Sequence, residues 1–134
     1  MKINLAYKGD EEFTTTNENG NKVEVDMRPA DEKKSQSPTE MLLSAVGACA
    51  AVEIVSMVKK RRKTFRDLKA EISGERRDEH PRAFTSIHLK YTIFSPDLTE
   101  EEAERIVDLA TSKYCSVAGS LRAEQTHSFE IVRD

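Results

Sequence analysis

Apolar and polar residues change their spacing several times along this chain, and each change marks an element. Ile3, Leu5 and Tyr7 alternate with polar neighbours, Val23 and Val25 do the same, and a Thr-rich segment from Phe13 to Thr16 lies between them. A period of two marks half-buried strands. NENGN at residues 17–21 supplies turn chemistry, so residues 11–26 are expected to form a hairpin. From Met27 to Gln36 the pattern lapses into a polar connector carrying Arg28 and Pro29, a kind of segment that often delivers functional side chains.

The longest unbroken pattern runs from Ser37 to Lys63 and predicts one long helix. Ser37 has the residue type of an N-cap, Pro38 suits the first helical position, and Glu40 stands where a capping-box acid reaches back to the cap. Lys59, Lys60, Arg61, Arg62 and Lys63 complement the negative end of the helix dipole. Between Met41 and Val58 only Ser44, Glu53 and Ser56 are polar, so the apolar surface goes all round the helix. At ~1.5 Å per residue the segment is ~40 Å long, against a radius of gyration of about 14 Å for a compact chain of this size. One such chain does not easily cover that helix on all sides, and a homodimer is expected. Glu53 near the centre and the many small residues argue against the rival reading, a membrane span.

After the helix, Leu68, Ala70 and Ile72 form one alternating run and Ile87, Leu89, Tyr91 and Ile93 another, joined by the charged loop RRDEHPR. Thr99 followed by three glutamates is a second capping signal, and Ala103, Ile106, Val107, Ala110 and Tyr114 mark one face of an amphipathic helix. Cys115 follows directly, Val117, Ala118 and Leu121 continue into a short further turn, and Phe129 and Ile131 suggest a last strand. The order predicts a single α+β domain over residues 1–134 with an antiparallel sheet.

Composition narrows the function classes. Charged residues make up 34% of the chain, the net charge is −3 and the pI is near 5.7, which points to neither a general nucleic-acid binder nor an anionic-membrane binder. The basic cluster after Val58 reads as a solvated helix end. The N-terminal MKINLAYKGDEEF lacks the pattern of a secretory signal, so a cytoplasmic protein with reduced thiols is expected. Cys49 and Cys115 fit neither a C-x-x-C motif nor a zinc site, and no metal or cofactor is implied. They are either core residues or redox residues. Cys115, after one helix and at the start of a further turn, has a context that favours a thiolate. His80, His88 and His127 are scattered, which gives a Cys-His hydrolase little support.

Together the two cysteine contexts are specific. SPTEMLLSAVGAC at residues 37–49 resembles the segment around the first cysteine of the OsmC/Ohr family of organic hydroperoxide reductases, and KYCSVAGSL at 113–121 resembles the segment around the second. ERRDEHPRAFTSI at 75–87 is similar to one branch of OsmC-like proteins, and the order of elements agrees over nearly the whole chain. The resemblance implies an intertwined homodimer, with antiparallel sheets wrapped around long central helices and reactive-cysteine sites between subunits. It further implies a thiolate at Cys49 that attacks an organic hydroperoxide, a resolving Cys115 that closes a disulfide, and a dithiol or lipoyl-type reductant. Arg28 corresponds to a family arginine that assists the first cysteine, across the subunit interface.

Two positions depart from the family pattern. Thr39 follows Pro38 where the family has glutamate, and the nearest acid, Glu40, lies ~100° further round the helix. Ser116 follows Cys115 where many members have proline. These changes motivate an alternative expectation, a redox-sensing or apolar-ligand-binding dimer without efficient turnover. Glu53, four residues after Cys49 and on nearly the same helix face, needs a cationic partner or serves as proton acceptor for Cys49.

Overall fold

Strand alternation in the first 26 residues folds as a meander of β1 (Ile3–Gly9), β2 (Glu12–Asn17) and β3 (Lys22–Asp26), antiparallel throughout. The computed structural model describes residues 1–134, which divide into two compact units, 1–42 and 43–134. In the first unit, the β1–β2 reversal needs the left-handed backbone of Gly9 and Asp10, with φ of 135° and 51°. The NENGN turn is closed by the Asn17 side chain, which accepts from the N–H groups of Asn19 (3.1 Å) and Asn21 (2.8 Å). Leu5 pairs with Thr15 and Tyr7 with Phe13, while Phe13 pairs with Val25, so the apolar residues share one face of the meander. The expected alternation is present, yet Ile3, Leu5 and Tyr7 remain 61–66% exposed.

The long helix α1 (Pro38–Lys60) begins at its expected cap: Glu40 Oε1 accepts from both the N–H and the Oγ–H of Ser37, each at 2.9 Å. It stops three residues before the expected end. Arg62 adopts φ 58°, Arg62 N–H donates to Lys59 O (2.9 Å) and Lys63 N–H to Val58 O (3.3 Å), which is the Schellman closure with arginine in the place glycine usually takes. By length and composition α1 is apolar enough to cross a membrane, but Val46, Ala50, Ile54 and Val58 bury one face of it in a protein core. Ala45, Ala48 and Val52 on another face are exposed.

In the second unit β4 (Asp67–Arg76), β5 (Phe84–Phe94) and β6 (Glu124–Val132) form a sheet in that order, with α2 (Glu100–Ser112) and a 3-10 turn (Ala118–Ser120) before β6. β4 and β5 are antiparallel as expected, but β6 runs parallel to β5, with Leu89 opposite His127 and Tyr91 opposite Phe129, so this sheet is mixed. The reason is α2, which carries the chain back to the end at which β5 began. Thr99 caps α2 by accepting from Glu102 N–H at 3.1 Å. Ile87, Leu89, Tyr91 and Ile93 of β5 pack against the inner face of α2, formed by Ala103, Ile106, Val107 and Ala110, and against α1. Tyr114, expected on that helical face, lies beyond the last turn of α2 and is 48% exposed.

Candidate active site

The two cysteines, 66 positions apart in sequence, are brought close enough for each to shift the titration of the other. Cys49 sits half-buried in the middle of α1; Cys115 is buried just past the end of α2, and both are free thiols. The close approach begins at Gly47. A Cβ there would lie 2.5 Å from Ile72 Cδ1, so glycine lets α1 settle onto β4. On the other side Tyr91 Oη, fully buried, donates to the Gly47 carbonyl at 2.8 Å and fixes this turn of α1 two residues before Cys49. Burial and the neighbouring thiol charges push the Tyr91 phenol up, so it stays a neutral donor.

The chain after Cys115 turns back on the sulfurs. Ala118 N–H donates to Cys115 Sγ at 3.3 Å and Gly119 N–H to Cys115 O at 3.0 Å. The Cys115 thiol donates to the Val46 carbonyl at 3.7 Å. Cys49 is held below the ordinary range of a thiol, first by the Val117 N–H, with the Cys115 thiol and the Ser116 N–H adding to it, while burial and the charge of Glu53 oppose. Cys115 is shifted the other way, first by burial and further by the charge of Cys49. The two sulfurs are thus shifted in opposite directions, Cys49 towards thiolate and Cys115 towards thiol. That is the division a nucleophile and a resolving thiol require.

The other sequence-predicted residues are placed differently. Arg28 belongs to the first unit, where its guanidinium meets three carboxylates, Glu12 at 2.9 Å and Asp10 and Asp26 each at 3.1 Å. Asp26 is completely buried and also accepts from the N–H groups of Arg28 and Lys34, both at 2.9 Å. Glu12 and Asp26 are cross-strand partners in β2 and β3, so the strand register itself assembles the acid cluster. Glu40 is the capping-box acid and accepts from Lys33 Nζ at 2.6 Å, which with the Ser37 donors lowers its carboxyl to about 2. Glu53 is half-buried beside Cys49 and forms no hydrogen bond or ion pair within the chain, so the expected cation is not supplied by this subunit.

Sequence reasoning missed Tyr91, Gly47 and the amides of Ser116 and Val117. Tyr91 reads as one more inward position of an alternating strand, and main-chain donors leave no trace in residue type. Gly47 does leave a trace, as the one glycine inside a helix of good helix formers.

The sequence matches the OsmC-like protein family over residues 30–130. Protein YhfA of Escherichia coli strain K12 is 38% identical over 122 residues, covering 90% of each chain. Among solved structures, an OsmC-like protein from Mycoplasma pneumoniae superposes with a TM-score of 0.85 at 21% identity, covering 98% of this chain and 96% of that one. The organic hydroperoxide resistance protein OhrB of Bacillus subtilis, at 17% identity, superposes with a TM-score of 0.62 over 98% of this chain and 96% of its own. With the family match spanning most of its length and a relative of this similarity covering nine-tenths of it, the chain belongs to the OsmC-like protein family.

Proposed function

We propose that the chain is a cytoplasmic, homodimeric thiol peroxidase that reduces organic hydroperoxides. The observation that carries this reading is the pair of adjacent free thiols shifted in opposite directions, Cys49 towards thiolate and Cys115 towards thiol. The fold it shares with organic hydroperoxide resistance proteins supports it. Cys49 thiolate attacks the distal peroxide oxygen; the O–O bond breaks, Cys49 becomes a sulfenic acid, and the alkoxide takes a proton and leaves as an alcohol. Cys115 then attacks the sulfenic sulfur, and its proton leaves with the oxygen as water while the disulfide forms. A dithiol reduces the disulfide by exchange, supplying two electrons and two protons.

The dimer belongs to the same proposal. Ile3, Leu5 and Tyr7 share one sheet face and are exposed by 61–66%, and Val52 on α1 is exposed by 67%, apolar side chains that a second subunit would cover. Sedimentation at micromolar concentration is expected to give a dimer; a stable folded monomer sinks this part. Arg28 enters as a residue reaching Cys49 of the partner subunit. Its carboxylate neighbours neutralise its charge, so its part is to orient the peroxide through its N–H groups. Mixed dimers of Arg28→Ala and Cys49→Ser chains should recover part of the activity that each homodimer lacks.

The test of the chemistry is to treat reduced protein with an alkyl hydroperoxide and map the thiols by mass spectrometry. A Cys49–Cys115 disulfide should form within seconds, Cys49→Ser should abolish dithiol-driven turnover, and Cys115→Ser should halt at a sulfenic acid open to over-oxidation. Thr39 and the ion-paired Arg28 favour a second reading, a redox sensor or apolar-ligand binder in the same fold. It predicts one oxidation per protein and no sustained turnover.

A further inference from the structure

We propose that Gln125 and His127 on β6 are positioning residues for Cys115, gripping the chain on either side of it so that the resolving thiol is held where it closes on Cys49. This rests on the reading of Cys49 and Cys115 as a nucleophile and its resolving partner.

The core face of β6 is apolar at one end and polar at the other. Gln125, His127, Phe129 and Ile131 stand opposite Ile87, Leu89, Tyr91 and Ile93 of β5, the row that packs into the core. Phe129 and Ile131 suit that face. Gln125 and His127 do not, and a half-buried polar side chain lowers stability unless it finds a partner there. Both find one on the segment around Cys115. Gln125 Nε2–H donates to Ala118 O at 3.0 Å, three residues after the cysteine. His127 reaches Thr111, four residues before it, with Nδ1 at 3.2 Å from Oγ1. The single hydroxyl proton of Thr111 goes to Val107 O at 2.8 Å, so Nδ1–H is the donor and Oγ1 the acceptor. His127 Nε2 lies 3.7 Å from Asp108 Oδ1, which also accepts from Ser112 Oγ–H at 3.4 Å.

Between the two grips the chain has no regular structure, since α2 ends at Ser112 and the 3-10 turn starts at Ala118. Packing around the grips is incomplete. A cavity of about 270 Å³ lies among Thr111, Ser112, Ala118, Gly119, Gln125 and His127, so the two hydrogen bonds span a gap that side chains leave open. The Cys115 sulfur itself has two light restraints, the Ala118 N–H at 3.3 Å and its own donation to Val46 O at 3.7 Å. The first comes from the residue whose carbonyl Gln125 holds. A resolving thiol that drifts from its place loses effective concentration towards its partner sulfur, and closure slows in proportion.

The experiment reads the placement of Cys115 through disulfide formation. The effective concentration of the Cys49–Cys115 pair is measured in a glutathione redox buffer without peroxide, where glutathione disulfide takes up the two electrons and two protons. Closure after an alkyl hydroperoxide is followed by rapid-quench thiol mapping, and the rate of Cys49 alkylation by iodoacetamide against pH reads the nucleophile alone. His127→Leu and Gln125→Met should each lower the effective concentration and the closure rate by about three- to tenfold, the size expected for the loss of one hydrogen bond. The Cys49 alkylation profile should not move. His127→Asn, which carries an N–H where Nδ1 stood, should stay within twofold of the parent. Thr111→Val removes the acceptor, should match His127→Leu, and decides if that variant fails to fold. Effective concentrations within twofold of the parent in His127→Leu or Thr111→Val and in Gln125→Met overturn the proposal, as does a His127→Asn variant as impaired as His127→Leu. A parent that ignores peroxide while the variants lose effective concentration in glutathione buffer would overturn the peroxidase reading and leave the positioning assignment standing.

Discussion

A guanidinium and a thiol shifted towards thiolate are held in this chain by opposite means. Arg28 is enclosed by three carboxylates, one of them, Asp26, completely buried. The Cys49 sulfur has no cation paired with it in its own unit, and the Val117 N–H, with the Cys115 thiol and the Ser116 N–H, is what shifts it towards thiolate. The difference matters for what each region can do. Full charges fix a geometry and make it costly to change, because removing one partner leaves another buried charge uncompensated. Neutral dipoles stabilise a negative charge without fixing its fate, and the sulfur remains free to lose that charge in a reaction. On the proposed function, one region stays as it is and the other is consumed and regenerated.

The sharpest way to test this contrast is pH. Below the Cys49 pKa the thiolate fraction changes about tenfold per pH unit, so the rate of oxidation by peroxide should rise roughly a hundredfold over two units. It should level off at a pH lower than an ordinary cysteine requires, since Cys49 is shifted down. The Arg28 cluster should be silent over that range. Asp26 is lowered chiefly by the Lys34 and Arg28 N–H groups and Glu12 by Arg28. Carboxyls depressed in the folded state contribute stability that is present above their unfolded value, about 4, and lost as pH falls through the folded one. Stopped-flow oxidation and thermal melts over the same pH series would separate the two behaviours.

Asp26→Asn attacks the other side of the comparison. One carboxylate oxygen serves Arg28 N–H and the other serves Lys34 N–H and Arg28 Nη1, and an amide cannot accept at both. The melting temperature at pH 7 should fall by about 5 °C or more. The loss should shrink at an acid pH chosen below the lowered folded-state value of Asp26, where the native carboxylate is itself protonated. An equal loss at both pH values would mean that packing, and not charge, explains the effect.

How much of this was legible beforehand follows from where the information resides. The capping boxes at Ser37 and Thr99, the NENGN turn and the alternation of β5 are local, and each appears where residue types specify it. The parallel β5–β6 pairing was not legible, because register between strands separated by a helix depends on where that helix returns the chain. The thiol pair was visible as two motifs, but its electrostatics are set by main-chain N–H groups, which every residue except proline carries. Only the serine at 116 hinted at them. Arg28 was picked out by its position in the connector, yet its partners come from the β2–β3 register and the β1–β2 turn, which no single motif encodes.

A smaller effect is expected from Tyr91→Phe. The phenol donates to Gly47 O from a fully buried position, so its removal loses one hydrogen bond at a cost of about 1 kcal/mol. Because Gly47 lies two residues before Cys49, the reading of Tyr91 as a positioning residue requires a second signal: the Cys49 alkylation profile should shift as well. A stability loss with an unchanged profile would make Tyr91 a core residue only.

The smallest change concerns Glu53, whose charge acts against a thiolate at Cys49. Glu53→Gln removes that opposition while keeping the shape of the side chain. Alkylation of Cys49 at pH 7 should therefore quicken, by about two- to threefold, the size expected of a half-exposed charge one helical turn away. If Glu53 serves only as a charge, disulfide closure after oxidation should keep its parent rate. If it accepts a proton as Cys115 attacks the sulfenic acid, the same variant should alkylate faster at Cys49 and yet close the disulfide more slowly. The two rates are measured on one protein, by iodoacetamide trapping before peroxide and by rapid-quench thiol mapping after it. Opposite signs would identify Glu53 as the group that takes the proton from the resolving thiol, and equal signs would leave it a bystander.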